Sequence, residues 1–274
     1  MKKILAIFSF VLFSALGFCQ TMATKEDILS EMSRAGEIHN QSLDYFYTKL
    51  SVNSTTLSDR NVSHSDKILF IESIILNNDV TNPIYSYLNS QSTSPILIAQ
   101  LKKIDSILLK ALQTKPRDNF DQIIFDEIAL TGAELTYYNT LSAIVSNNQS
   151  NLQNLEIELN AFNDDVFNHF GTNSNSTLAL IAASAIAKSS VNYWFYNTSK
   201  WVSLTTTQTT RLAPCNTAHA DVVGGVGGAI GGAVSGAVAG GVGAIPGAVV
   251  GGLGGALGGS VAQAVGCLLN WLWS

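Results

Sequence analysis

Apolar side chains recur every three or four positions from residue 24 to residue 205, which is the spacing of one face of an α-helix. The clearest such stripe is Leu152, Leu155, Leu159, Phe162, Val166 and Phe170. Gly171 follows it and suits a helix C-cap. No alternating apolar and polar run bounded by hairpin turns competes with this pattern. We therefore predict an all-α fold, a helical bundle.

Several helix starts are also readable from the sequence. Thr24 and Asp27 have the spacing of a capping box, ahead of a stripe through Ile28, Met32 and Ala35. Ser65 is a candidate N-cap for the run DKILFIESIIL. Ser94 and Pro95 suit the start of another helix. The stripes of two middle helices are Leu97, Leu101, Ile104, Leu108 and Leu112, and then, after Asp118, Ile124, Ile128, Thr131, Leu135 and Tyr138. A last helix is expected over about 177–201.

The amino terminus has the pattern of a secretory signal peptide. Residues 1–19 contain two lysines, an apolar run from Ile4 to Leu16, and then small residues. Cleavage after Cys19 would leave Gln20 as the new terminus, whereas a lipoprotein would keep Cys19 as its lipidated first residue. We expect an exported protein, in a cell-envelope membrane or outside the cell.

Residues 224–259 read GGVGGAIGGAVSGAVAGGVGAIPGAVVGGLGGALGG, without a single charge. The glycines follow a four-residue period, so on a helix they align along one side. Together with interspersed Ala and Ser they form small-xxx-small rows, which let helices approach closely inside a bilayer. The predicted small-residue face comprises Gly224, Gly228, Gly232, Gly236, Gly240, Gly247, Gly251, Gly255 and Gly259.

The composition of this segment does not fit a flexible linker, a β-strand or a helix in water. A flexible linker would be richer in Ser and polar residues, and a strand would have a period of two. The chain has 22 glycines, 18 of them in residues 222–266, and a solvated helix would lose on the order of 1 kcal/mol for each relative to Ala. A bilayer favours the helix because unsatisfied backbone groups are costly there, and burial against the rest of the protein is the alternative.

The segment is long enough for a helical hairpin. Residues 222–274 contain no ionisable side chain apart from Cys267, and they suffice for two spans of about 20 residues. Pro246 lies near the middle and is the expected turn. A turn there brings Cys215 towards Cys267, which predicts a disulfide in an oxidising compartment, with two unpaired thiols as the alternative. Trp271 and Trp273 suit a membrane–water interface or terminal packing.

The runs GGVGGAIGGAVSGAVAGG and GAVVGGLGGALGGSVAQAVGC resemble the glycine-zipper segments of class II bacteriocins and of bacterial glycine-zipper membrane proteins. The resemblance covers about 50 residues. It implies insertion as a helical hairpin that damages a target membrane, often with one stabilising disulfide. This chain differs in its secretory signal and its large acidic helical region; those bacteriocins are short, usually cationic and released from a double-glycine leader.

Charge and motif content argue against other classes of function. The formal charge is −5 and loss of Lys2 and Lys3 makes the chain more acidic, which disfavours nucleic acid as a partner. Asp165 and His169 stand four apart, but no HExxH or cysteine cluster supports a metal site. Glu156 and Glu158 stand two apart and do not face each other on a helix. We expect no enzyme, no cofactor and no small-molecule substrate.

These observations predict four segments: a signal peptide at 1–19, a helical bundle at 20–205, a linker at 206–221 and a glycine-zipper hairpin at 222–274. The expected partner is a lipid bilayer, with self-association through the small-residue face. The aromatic cluster at 193–201 is expected to be a packing face of the bundle near the membrane, with contact to a ligand or to an interface headgroup as the alternative. Two alternatives stay open: an envelope-anchored structural protein, and a soluble helical binding module that buries the hairpin.

Overall fold

The protein is described by a computed structural model that covers residues 23–53, 59, 61–75, 81–90, 98, 132–202 and 245–256. Within these ranges the secondary structure is helical, without strands, and the all-α prediction is confirmed. The helices are α1 (Lys25–Val52), α2 (His64–Ile75), α3 (Pro83–Asn89), α4 (Gly132–Asn147), α5 (Leu152–Phe170), α6 (Asn175–Val202) and α7 (245–256).

The start of α1 is the predicted capping box. The Asp27 N–H donates to Thr24 Oγ1 at 3.1 Å, and the Thr24 N–H donates to Asp27 Oδ2 at 2.9 Å. These hydrogen bonds satisfy two backbone donors that a helix end leaves free. They also lower the pKa of the Asp27 carboxyl, the backbone hydrogen bond from Thr24 being the largest cause. Ile28, Met32 and Ala35 are buried as predicted.

Helices α4, α5 and α6 form two consecutive antiparallel pairs joined by short turns. Asn151 caps α5 by accepting from the Asn154 N–H at 3.1 Å. Gly171 ends α5 with φ at 72°, a left-handed conformation that glycine adopts without a Cβ clash, so the predicted C-cap is confirmed. The predicted stripe of α5 faces the core, with Leu155, Leu159, Phe162 and Val166 buried.

The amino-terminal half of α6 is the centre of the bundle. Residues 177–187 are buried on every side except at Ala185, which is half-buried. A helix that is apolar all round requires neighbours all round, and α1, α4 and α5 contact it. Helix α1 runs parallel to α6, since Asn40 Nδ2 donates to the Ser189 carbonyl at 3.1 Å and, further along both helices, Tyr193 OH donates to Asp44 Oδ1 at 3.0 Å.

The structure corrects two local predictions. Ser63, not Ser65, caps α2: the Asp66 N–H donates to Ser63 Oγ at 3.1 Å, and Ser65 lies inside the helix. Leu135, predicted on a buried stripe, is 41% exposed because the core face of α4 is Glu134, Tyr138, Leu141 and Val145. The helix predicted from Ser94 to Leu112 lies outside the described residues, apart from Ile98. The same holds for the part from Asp118 to Thr131 of the helix predicted to continue through Leu135 and Tyr138.

Candidate functional site

Helix α7 is the described part of the glycine-rich segment, and it is enclosed. Every residue from 247 to 256 is buried. The larger side chains Val249, Val250 and Leu253 are 0% exposed and belong to the same hydrophobic core as the residues of α1 and α6. A glycine-rich helix is unfavourable in water. Helix α7 avoids this cost because the surrounding protein replaces water along its whole circumference.

Three residues of the predicted small-residue face lie on α7. Gly247, Gly251 and Gly255 stand at intervals of four in one helix, so they align along one side of it, and all three are buried. Pro246 is helical and half-buried in the described stretch. The prediction that the chain reverses at Pro246 stays a prediction, because residues 203–244 lie outside the described ranges.

The remaining predicted site residues also lie outside those ranges. They are Gly224, Gly228, Gly232, Gly236, Gly240, Gly259, Cys215, Cys267, Trp271 and Trp273. The hairpin, its disulfide and its interfacial tryptophans therefore stay predictions.

A close contact that the sequence reading missed joins α1 to α6. A Cβ atom added to Gly36 would overlap the Ser189 side chain and stand 2.9 Å from the Ala185 carbonyl oxygen. Ala185 and Ser189 are four apart on α6, so small residues on both helices let the two backbones approach. The signal was a lone glycine in the interior of a long predicted helix, where glycine is unfavourable without a packing reason.

A hydrogen-bonded cluster joins the carboxyl ends of α1 and α6. Trp201 Nε1 donates to Tyr193 OH at 3.0 Å, and that hydroxyl donates to Asp44 Oδ1 at 3.0 Å. Lys200 Nζ also reaches Asp44 Oδ1, at 2.7 Å, and lies 4.2 Å from the centre of the Tyr47 ring. Burial is the largest cause of a raised pKa at the Tyr193 hydroxyl. The cluster holds the carboxyl end of α6, which precedes the predicted linker in the sequence, against α1.

The aromatic cluster at 193–201 divides into two groups. Tyr193, Trp194 and Trp201 are 3–8% exposed and pack in the core, with the Trp194 and Trp201 ring centres 5.3 Å apart. Phe195 and Tyr196 point outward and are 50% and 68% exposed. Only the first group is the packing face that the sequence predicts.

Asp165 and His169 are both exposed, and both contact Tyr137. Tyr137 OH donates to Asp165 Oδ2 at 2.8 Å, and the Tyr137 and His169 ring centres lie 5.4 Å apart. Burial, followed by the Asp165 hydrogen bond, raises the pKa of Tyr137. Within the described ranges no three His, Cys, Asp or Glu side chains gather as metal ligands.

Glu156 and Glu158 serve different partners. Lys188 Nζ donates to Glu156 Oε1 at 2.6 Å, and this hydrogen bond is the main cause of a lowered pKa at Glu156. Glu158 accepts from Asn148 Nδ2 at 3.1 Å and from Asn154 Nδ2 at 2.7 Å. These contacts hold α5 against α6 and against the α4–α5 turn, so the two carboxylates form no acid–base pair.

Comparisons with known proteins identify no relative of this chain. No protein-family model, no curated protein and no solved structure matches the chain. In the part of the chain that the structure describes, no helix has both the length and the apolar character to cross a membrane.

Proposed function

We propose that this is an exported, membrane-active protein whose helical bundle shelters the glycine-rich segment in water and releases it into a lipid bilayer. The amino-terminal secretory pattern supports export. The segment 222–274, without charged side chains, suits a hydrocarbon environment. The resemblance to glycine-zipper bacteriocins supports a hairpin that inserts and damages membranes. The proposal involves no catalytic step.

The observation that carries the proposal is the enclosure of α7. Its residues from 247 to 256 are buried, and its larger side chains share the core of the bundle. A protein that must travel through water before meeting a membrane needs such shelter, because an exposed apolar segment of this size would drive aggregation. The small residues of α7 contribute little side-chain volume to the core, which favours a segment that can leave it.

The test is dye release from phosphatidylcholine vesicles by the intact, purified chain, combined with flotation of the vesicles. We expect the protein to be monodisperse in buffer, to float with the vesicles and to release the dye. A folded protein that stays in the aqueous fraction with every vesicle composition, and releases nothing, would exclude the proposed function.

A second candidate is a soluble binding module in which α7 is a permanent part of the core. The burial of Val249, Val250 and Leu253 at 0% exposure favours it as well. Here Gly251→Leu, at a buried position of α7, should unfold a protein that never binds vesicles. Under the membrane proposal, the same variant destabilises the soluble form and increases the fraction bound to vesicles, because the sheltered state loses free energy relative to the inserted one.

A further inference from the structure

Phe195 and Tyr196 are adjacent aromatic residues that the bundle leaves uncovered. Their rings contact each other edge to face, with centres 5.0 Å apart, and their exposed fractions are 50% and 68%. We propose that this Phe195–Tyr196 pair is the surface with which the folded bundle docks on the headgroup region of a lipid bilayer. The inference rests on the proposed function and adds the site of first membrane contact.

The Phe195–Tyr196 pair lies on a part of α6 that is packed in the core and hydrogen-bonded to α1. On the same helix Tyr193, Trp194 and Trp201 are buried. The Trp201–Tyr193–Asp44 hydrogen bonds hold this end of α6 against α1. The two rings therefore project from an ordered helix and lose little conformational freedom when they enter another phase.

The stretch of α6 that carries the pair contains no charged side chain. Residues 189–199 contain no Asp, Glu, Lys or Arg, although the chain has a formal charge of −5. The nearest charged residue along α6, Lys200, forms an ion pair with Asp44 at 2.7 Å. Such a surface avoids the desolvation cost of burying unpaired charge. Amphipathic aromatic rings are the side chains that favour the membrane–water interface.

The position of the pair in the sequence favours a lipid bilayer as the partner of this surface. Phe195 lies seven residues before Val202, the last residue of α6, which is about 10 Å along a helix. The chain then leads to the uncharged segment 222–274. Docking through the Phe195–Tyr196 pair would thus bring to the membrane the carboxyl end of α6, which precedes that segment in the sequence.

The experiment measures partitioning of the full chain onto phosphatidylcholine vesicles by flotation at low and high salt. We expect Phe195→Ser/Tyr196→Ser to lower the partition coefficient about tenfold, because two partly exposed aromatic side chains lose their apolar transfer. Tyr196→Phe should retain binding. Salt should have little effect, since no charged contact is involved. The matched control is Ile157→Ser, which removes a 60% exposed apolar side chain from α5 and should bind as the wild type does.

The outcomes separate this inference from the proposed function. If the wild type releases dye while the double variant binds vesicles as the wild type does, the docking surface is elsewhere and the proposed function stands. If the pair is required for binding but no dye is released, the docking surface stands and the proposed function fails. A double variant that changes only the sedimentation mass of the protein would assign the pair to self-association, against the inference. Circular dichroism of each variant verifies that the fold is retained.

Discussion

Gly36 on α1 lies directly against Ser189 on α6, so that a Cβ atom on Gly36 would overlap the serine side chain. The neighbouring Ala185 carbonyl oxygen, at 2.9 Å from that atom, belongs to the helix backbone and cannot rotate away. Helices α1 and α6 are therefore held at a separation that only glycine permits at this position. The close approach of α1 and α6 at this point depends on the absence of a side chain at residue 36.

Gly36→Ala should lower the free energy of unfolding by about 1–2 kcal/mol, because the overpacking at Ser189 and Ala185 exceeds the gain in helix propensity. Denaturant unfolding followed by circular dichroism measures the change. Adding Ser189→Gly should recover part of the loss. The control is Gly132→Ala, where an added Cβ meets no atom within 4 Å; a similar loss at both glycines would contradict the close contact.

The hydrogen bonds at the end of α6 predict an order of effects. Tyr193→Phe leaves the buried Trp201 N–H without its acceptor and should cost about 1–3 kcal/mol of unfolding free energy. Asp44→Ala should cost less, because the side chain of Asp44 is 57% exposed and its ion pair with Lys200 is weak in water. Thermal or denaturant unfolding of the two variants gives the order.

A matched tyrosine serves as the control for this comparison. Tyr137 also donates its hydroxyl to an aspartate, Asp165, but that contact is exposed. Tyr137→Phe should therefore change the unfolding free energy by no more than about 0.5 kcal/mol. Equal losses of unfolding free energy for Tyr137→Phe and Tyr193→Phe would mean that the Trp201 hydrogen bond contributes nothing to stability.

Stability should decline at alkaline pH because of two buried tyrosines. Burial is the main cause of a raised pKa at both Tyr87 and Tyr193, with Glu31 and Asp44 as further causes. In the unfolded chain these hydroxyls ionise near pH 10. Their contribution to stability is thus complete below that pH and is lost as the pH rises towards the higher folded values. Unfolding free energies measured between pH 8 and 11 should fall less steeply in Tyr87→Phe and Tyr193→Phe; unchanged slopes in both variants would contradict the assignment.

The predicted Cys215–Cys267 disulfide has a direct test. In the chain-entropy model, a bridge closing a loop of about 50 residues stabilises the folded state by about 4 kcal/mol. Peptide mapping of the chain folded under oxidising conditions, without reductant, should find one Cys215–Cys267 cross-linked peptide, and reduction should lower the midpoint of thermal unfolding. Two free thiols in the oxidised protein would refute the pairing.

The parts of the fold that could be predicted depend on local signals. The capping box at Thr24 and the stripe of α5 up to Gly171 are encoded within one or two turns of the same helix. Ser63 also has a local signal in the sequence, since it stands three residues before Asp66. In the structure the Asp66 N–H donates to Ser63 Oγ, and the Ser63 hydroxyl donates to Asp66 Oδ2. Ser65 is the competing candidate because that residue directly precedes the run DKILFIESIIL.

The parts that could not be predicted depend on partners distant in the sequence. Glu134 is 8% exposed, and it is tolerated there because Ser176 Oγ donates to it at 2.7 Å from α6. With Glu134 on the core face of α4, the adjacent Leu135 is exposed. The division of the aromatic cluster into buried and exposed rings also depends on distant partners. Asp44 and Tyr47 of α1 contact Tyr193 and Trp201 of α6, and these two rings are buried.

The central claim is that the glycine-rich segment leaves the core of the bundle for a bilayer, and photolabelling of the native chain tests it most directly. Vesicles are prepared with a phospholipid that carries a photoreactive group on its acyl chain, and labelled residues are located by mass spectrometry. We expect label within residues 245–256 in the presence of vesicles, and none in the central residues 177–187 of α6. A protein that binds the vesicles while residues 245–256 stay unlabelled would contradict the account.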